Sequence, residues 1–392
     1  MTVLGKLKEQ NKEFTTWRRH LHQNPETAFE EVKTADYVAG LLESWGIEVH
    51  RGMAKTGVVG VIRGKKGNSS RGIGLRADMD ALNIFEETNL PHSSKTPGKM
   101  HACGHDGHTS MLLAACKHLA ETREFDGNVY AIFQPAEEGG GGGDVMVQEG
   151  FFKQFPCESV FGMHNWPWLP AGTMAICEGA VSASTDSFDV KITGKGGHAA
   201  FPHTTIDVIV CASQIVSALQ HLVSRVTAPA DSVVVSVCKF HAGTSAHNVL
   251  PETAEIGGTV RTLKPELRQL MEEKFRHVVK TVADAYGAQV DINWHKGYPS
   301  CINTAAETDF AREVAKEVVG TEKVFPFTPM MGGEDFAYFL EACKGAYIIL
   351  GQGKTDNDPG LHSPHYDFND EVLPVGAAYW VRLAETWLAQ KS

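Results

Sequence analysis

Apolar positions recur along this chain with two different periods, and the alternation between them predicts its elements. Apolar residues three and four apart mark amphipathic helices at 4–21 and 31–45. Short apolar runs at 57–63 and 73–77 read as strands. The segment HACGHDGH follows, and then a helix expected over 108–121, with Asp106 placed where its carboxylate would cap the first free N–H groups. Further strands are expected at 128–133 and 159–163. This alternation argues for an α/β domain with a mixed, largely parallel sheet flanked by helices.

The texture changes near Ser184. From 187 to 295 the order is strand, long helix, two strands, long helix, strand, which predicts an inserted, smaller α+β module. Its strands are FDVKITG, SVVVSVCKF, TAEIGGTVRTL and AQVDINW, and its helices fall at 207–223 and 265–286. A helix from about residue 308, a strand at 346–350 and a final helix at 373–390 then return the chain to the first domain, which is therefore expected over 1–186 and 296–392. With 392 residues, 42% of them hydrophobic, there is apolar material for one large core and length enough for a second domain.

Charge and composition remove several function classes. A net charge of −11 argues against a nucleic-acid partner, which needs a basic face. The polar opening MTVLGKLKEQNKEF does not resemble a secretory signal, and the most apolar stretch, IDVIVCASQIVSALQHLV, is interrupted by Asp207, Ser213 and Gln214, so no membrane span is expected. Eight widely spaced cysteines suit a reducing cytoplasm. No GxGxxG follows the first strand, which disfavours a dinucleotide-dependent oxidoreductase.

Candidate chemistry collects at the ends of predicted strands. Cys103 and His105 stand two apart, a spacing that in an extended segment turns both to one side, and a thiolate with an imidazole suits a borderline transition metal. Glu137 and Glu138, in QPAEEG after the strand at 128–133, are adjacent carboxylates that need a cation or a proton to offset them. One can bind metal while the other takes a proton from water. His164 follows the strand at 159–163, and His362 and His365 lie in a loop after 346–350. Asp78 and Asp80 close the strand at 73–77, either as ligands or as carboxylates that orient a ligating histidine. Placement outside the carboxyl ends of strands is where open α/β sheets bind ligands. One thiolate, three imidazoles and several carboxylates exceed a single tetrahedral site, so a dinuclear centre is favoured. Asp335 reads as a helix cap before FAYFLEA, and the glycines of EEGGGGGD suit close backbone approach.

Taken in order, WRRHLHQNPE, LRADMDAL, MHACGHDGHT, QPAEEG, GMHNWP, GKGGHAAFPH, HNVLPE, GGEDFAYF and LHSPHYDFND resemble the motifs of the dinuclear metallo-aminoacylase and carboxypeptidase family, across essentially the whole chain. The branch most similar is that of hippurate hydrolases, bacterial N-acyl-amino-acid amidohydrolases and plant auxin-conjugate hydrolases. The resemblance implies Cys103, His105, Glu138, His164 and His362 as ligands of two divalent ions (Zn, Mn, Co or Ni) and Glu137 as general acid/base. It implies that 187–295 is a lid and dimerisation domain, with His198 on the scissile carbonyl oxygen and Asn248 and Arg261 on the substrate carboxylate. The chain departs from the broader family where Asp78-Met79-Asp80 replaces a His-x-Asp, and Asp80 is then read as orienting a ligand. The implied reaction is hydrolysis of an N-acyl amino acid by a cytoplasmic homodimer or homotetramer. A carboxypeptidase or dipeptidase using the same site is the alternative, and a non-catalytic metal-binding protein would leave Glu137 without a use.

Overall fold

A computed structural model describes residues 2–355 and 357–389. It divides into two compact units: 1–181 with 302–328 and 335–392, and 182–301 with 329–334. The chain therefore crosses from one unit to the other a few residues outside the expected 187–295, and it adds a short excursion at 329–334.

The first unit is built on an eight-stranded sheet. Its order is Glu48–Met53, Gly57–Arg63, Asn128–Gln134, Gly72–Asp78, Ser159–Pro170, Gly345–Gly353, Met174–Ile176, Val324–Pro326. The four central strands pair in parallel, and antiparallel pairs occur toward both edges. Buried on both faces, the central strands read as continuous apolar runs, which is why they were visible in the sequence. The edge strand Glu48–Met53 has no buried residue and carries no such run. A row of helices, Val32–Ser44, His105–Thr122, Leu373–Ala389 and Ala305–Val319, packs side by side over the sheet. The expected helix at 4–21 is two helices, Val3–Glu9 and Asn11–Gln23, joined at Gln10, with Leu7 and Phe14 on either side fully buried. The expected last residue of the final helix, Gln390, lies outside the described residues.

After the antiparallel edge strands Glu48–Met53 and Gly57–Arg63, the chain runs through Gly72–Asp78, crosses by His105–Thr122 to Asn128–Gln134 on one side of it, and then reaches Ser159–Pro170 on its other side. Such a reversal of strand order opens a crevice at the carboxyl ends of parallel strands.

In the second unit four antiparallel strands, ordered Val233–Ala242, Thr253–Thr262, Ser184–Thr193, Gln289–His295, carry the helices Val208–His221 and Pro265–Ala285. Val190, Ile192, Val208, Ile215, Leu219, Phe275 and Val279 form its separate core. The sequence led us to expect no stretch long and apolar enough to span a membrane, yet the helical segment Val208–Val226 is so by length and composition. Here its buried stripe, Val208, Cys211, Ala212, Ile215 and Leu219, packs into that core.

Candidate metal centre

The motif HACGHDGH is a turn into a helix. Residues 103 and 104 bend, Gly104 adopts φ +97°, and His105 opens the helix three residues earlier than expected. Cys103 and His105 thus converge through a turn, whereas the sequence argument relied on an extended segment. A Cβ at Gly104 would stand 2.5 Å from Asn165 Oδ1 and 2.6 Å from Tyr366 Oη. Gly104→Ala is expected to cost roughly 2–4 kcal/mol, from left-handed strain and overpacking together. Denaturant unfolding of the variant checks this. Asp106 is also not the cap: it lies inside the first turn, fully buried, with Oδ2 2.8 Å from His22 Nδ1, and Oδ1 accepting from Gly107 N–H at 2.9 Å. Burial would raise its carboxyl, but the hydrogen bond and charge of His22, with His101 and Arg18, hold it well below the ordinary range.

Two imidazoles are oriented by carbonyl oxygens, which only accept. His105 Nδ1 lies 2.9 Å from Asp80 O, so it carries the proton, and Nε2 is buried with no hydrogen-bond partner. His164 Nδ1 lies 2.7 Å from Asn165 O, so its Nε2 lone pair faces Cys103 Sγ, 3.4 Å away. Second-row contacts of this sort fix the tautomer that a metal-binding imidazole needs. The donor atoms of Cys103, His105 and His164 lie within 4.8 Å of one another, as do those of Cys103, Glu138 and His362, and those of His105, Glu137 and Glu138. His362, an exposed residue at φ +63°, reaches Glu138 Oε1 at 3.0 Å while its N–H donates to Ala102 O. The structure brings together all five residues read as ligands, with Glu137 beside them.

Asp80 stands behind this cluster: besides its carbonyl on His105, its Oδ2 accepts the Glu138 N–H at 2.9 Å. His108 and Asp78 were not singled out together. His108 Nδ1 is 2.6 Å from Asp78 Oδ1, and the two form a further donor group with His105. Its signal was present as the third histidine of HACGHDGH, one helical turn beyond His105 and so on the same face. Arg76 was missed altogether. Wholly buried, it donates to Asp78 Oδ2 (2.6 Å), Gln134 Oε1 (2.8 Å) and Asp335 Oδ1 (2.9 Å), tying two strand ends to the loop before Ala337–Ala342. Asp335 consequently does not cap that helix. Its carboxylate is taken by Arg76, Gln134 and Gly143 N–H, while its own N–H donates to Glu137 Oε1 at 3.4 Å.

The electrostatics fit divalent cations. Burial, then Glu138, Glu137 and Asp78, push the Cys103 thiol well above its ordinary range. Burial alone would lower His105, but Asp78, Asp80 and Glu138 raise it to about 10. Asp78 would be raised by burial, yet His105, Arg76 and His108 hold it well below normal. A concentration of carboxylates around Cys103 and His105 contributes to raising both. A divalent ion would offset it, hold Cys103 as thiolate and take the place of the His105 proton.

The remaining predicted residues belong to the second unit. His198 lies on the two-stranded ribbon Gly197–His198 with Val249–Leu250, opposite Val249, and Ala199 N–H donates to Asn248 O. His198 and Asn248 are therefore neighbours. Arg261 is half-buried on Thr253–Thr262, and the acid near it, Asp186, is engaged by Arg268 at 2.6 Å and by Gly297 N–H.

The model of Peptidase family M20/M25/M40 matches residues 74–386. The chain is 43% identical over 389 residues to hippurate hydrolase of Campylobacter jejuni subsp. jejuni, covering 99% of this chain and 100% of that protein. It is 39% identical over 380 residues to IAA-amino acid hydrolase ILR1-like 4 of Arabidopsis thaliana, covering 95% of this chain and 85% of that one. The crystal structure of the Bacillus subtilis YXEP protein, a dinuclear metal binding peptidase from the M20 family, matches with a TM-score of 0.84 at 37% identity, covering 96% of this chain and 98% of that one.

Proposed function

Because the chain belongs to Peptidase family M20/M25/M40, we propose that it is a metal-dependent amidohydrolase cleaving N-acyl amino acids, hippurate-like or auxin-conjugate-like, to a carboxylic acid and a free amino acid. The observation that carries the reading is the buried Glu137, within reach of His105 and Glu138 yet held by a backbone N–H. Two divalent ions are the expected cofactors, held by Cys103, His105, Glu138, His164 and His362, and they would supply Lewis-acid polarisation of the amide carbonyl and acidify a water.

The chain's own part begins with Glu137, which takes the proton of the attacking water at a carboxylate oxygen and returns it to the leaving nitrogen. Asp80 keeps both His105 and Glu138 aimed. His198 and Asn248, neighbours on the second unit, are assigned to the substrate's carbonyl oxygen and carboxylate, and that unit takes the lid and dimerisation role. Arg261, whose nearby acid is already engaged, suits a substrate carboxylate, to which a guanidinium donates two parallel bonds. Arg261→Ala is expected to raise KM by roughly tenfold or more, the loss of a charge-assisted pair, with kcat little changed. Steady-state kinetics over the substrate range measures it. Eight free cysteines support a cytoplasmic site of action, and a homodimer or homotetramer is the expected assembly, read by sedimentation.

The test of the whole reading is elemental analysis paired with release of amino acid from a panel of N-acyl substrates, hippurate included, before and after chelation. Close to two metals per chain with chelator-sensitive release supports it. A metal-loaded chain inert on the panel but active on dipeptides would transfer the site to the peptidase alternative.

A further inference from the structure

Glu31 is a wholly buried carboxylate that the reaction above leaves without a role. It stands at the N-cap of Val32–Ser44 but makes no side-chain cap bond to that helix. Its two oxygens turn elsewhere. Oε2 accepts from Thr56 Oγ1 at 2.7 Å and Oε1 accepts from the backbone N–H of Ala136 at 2.9 Å. No salt bridge joins it among the described residues, and burial raises its carboxyl above the ordinary value. A chain does not keep an unpaired buried acid for stability alone, since desolvation opposes it.

What it holds is the turn that presents Glu137. Ala136 sits at φ +56°, in the left-handed region that residues with a Cβ rarely adopt. The turn closes tightly after it: Gly142 N–H donates to Ala136 O, and a Cβ at Gly142 would stand 1.8 Å from Pro135 O. Strained backbone of this kind persists where the surroundings over-determine it. Two buried carboxylates do so here, Glu31 on the N–H of residue 136 and Asp80 on the N–H of residue 138, one on each side of Glu137. We infer that Glu31 is a positioning residue for Glu137, acting through the Ala136 N–H. The inference rests on the proposed role of Glu137, and its test separates the two.

The experiment compares wild type, Glu31→Ala, and Glu31→Ala with Ala136→Gly, using the full chain loaded with Zn²⁺ or Mn²⁺. With the N-acyl substrate that wild type hydrolyses best, Glu31→Ala is expected to lower kcat by roughly 10- to 100-fold, the scale of a small misplacement of a catalytic group. KM and metal content per chain stay unchanged, because Asp80 still holds Glu138. Glycine at 136 adopts the left-handed turn without strain, so the double variant is expected to recover much of the lost kcat. Hydrogen exchange read by mass spectrometry should quicken in 135–142 but not in Asn128–Gln134. Unchanged exchange in 135–142 overturns the inference whether or not the enzyme is active. So does a kcat within twofold of wild type, or a joint fall in kcat, metal content and Tm that glycine at 136 does not relieve. If Glu31→Ala fails to fold, Glu31→Met, which keeps the side-chain volume and offers the Ala136 N–H no acceptor oxygen, is measured with the same glycine partner and the same three criteria. A wild type that hydrolyses no N-acyl amino acid refutes the proposed reaction, while the exchange data still decide the role of Glu31.

Discussion

Glu137→Gln is expected to lower kcat by roughly 10²–10⁴-fold, the range that a positioned general base contributes. Metal content and Tm should not change. Glutamine has the same shape, and its carbonyl oxygen can still accept the Asp335 N–H that now holds Glu137 Oε1. What it loses is the capacity to take a proton. Glu138 is the internal control: it sits in the donor groups of both His362 with Cys103 and His105 with Glu137, so Glu138→Ala should reduce bound metal as well as rate. A Glu137→Gln protein with near-normal kcat would remove Glu137 from the base role, and one that lost metal would make it a ligand. Because the two residues are adjacent, the contrast tests the division of labour between them and not the general importance of the loop.

The central sheet is legible because buried strands carry a short-range signal, and the five-donor cluster because its motifs resemble those of a known family. Buried strands write themselves as apolar runs, and Glu137 and Glu138 stand just beyond the end of one of them. Thus the strand at 57–63 was read to the residue, and Cys103, His105, Glu138, His164 and His362 were all named. The failures share a cause too. Asp106 and Asp335 were read as caps because a cap is the local use of an acid before a helix, but each is claimed by a partner distant in sequence, His22 and Arg76. Arg76 carries no local mark of its role, because its partners Gln134 and Asp335 are distant in sequence. Ala136 carries no sequence mark of its left-handed turn, since glycine is the usual signal and here the conformation is imposed by contacts. The edge strand Glu48–Met53 carries no apolar run because none of its residues is fully buried.

Stripping metal with a chelator is expected to abolish turnover and to lower Tm, with recovery on adding back Zn²⁺, Mn²⁺, Co²⁺ or Ni²⁺. An ion bound only by the folded chain stabilises it by about 4 kcal/mol when free metal is a thousandfold above Kd. For a domain of this size that is a shift in Tm on the order of 10 °C. The pH dependence follows from the protons that the ion must displace. His105, lowered by burial but raised more strongly by Asp78, Asp80 and Glu138, sits at about 10, and burial with Glu138 and Glu137 keeps Cys103 a thiol beyond its ordinary range. Both are thus protonated in the metal-free protein through neutral pH, so binding releases protons and apparent affinity should rise with pH, by about tenfold per unit for each proton released. Calorimetric titration between pH 6 and pH 9 in buffers of different ionisation enthalpy measures both affinity and protons released. Affinity flat across that range would mean that Cys103 and His105 are not where the ions bind. Cys103→Ala should then behave as wild type, whereas the ligand assignment requires it to release one proton fewer and to bind metal more weakly.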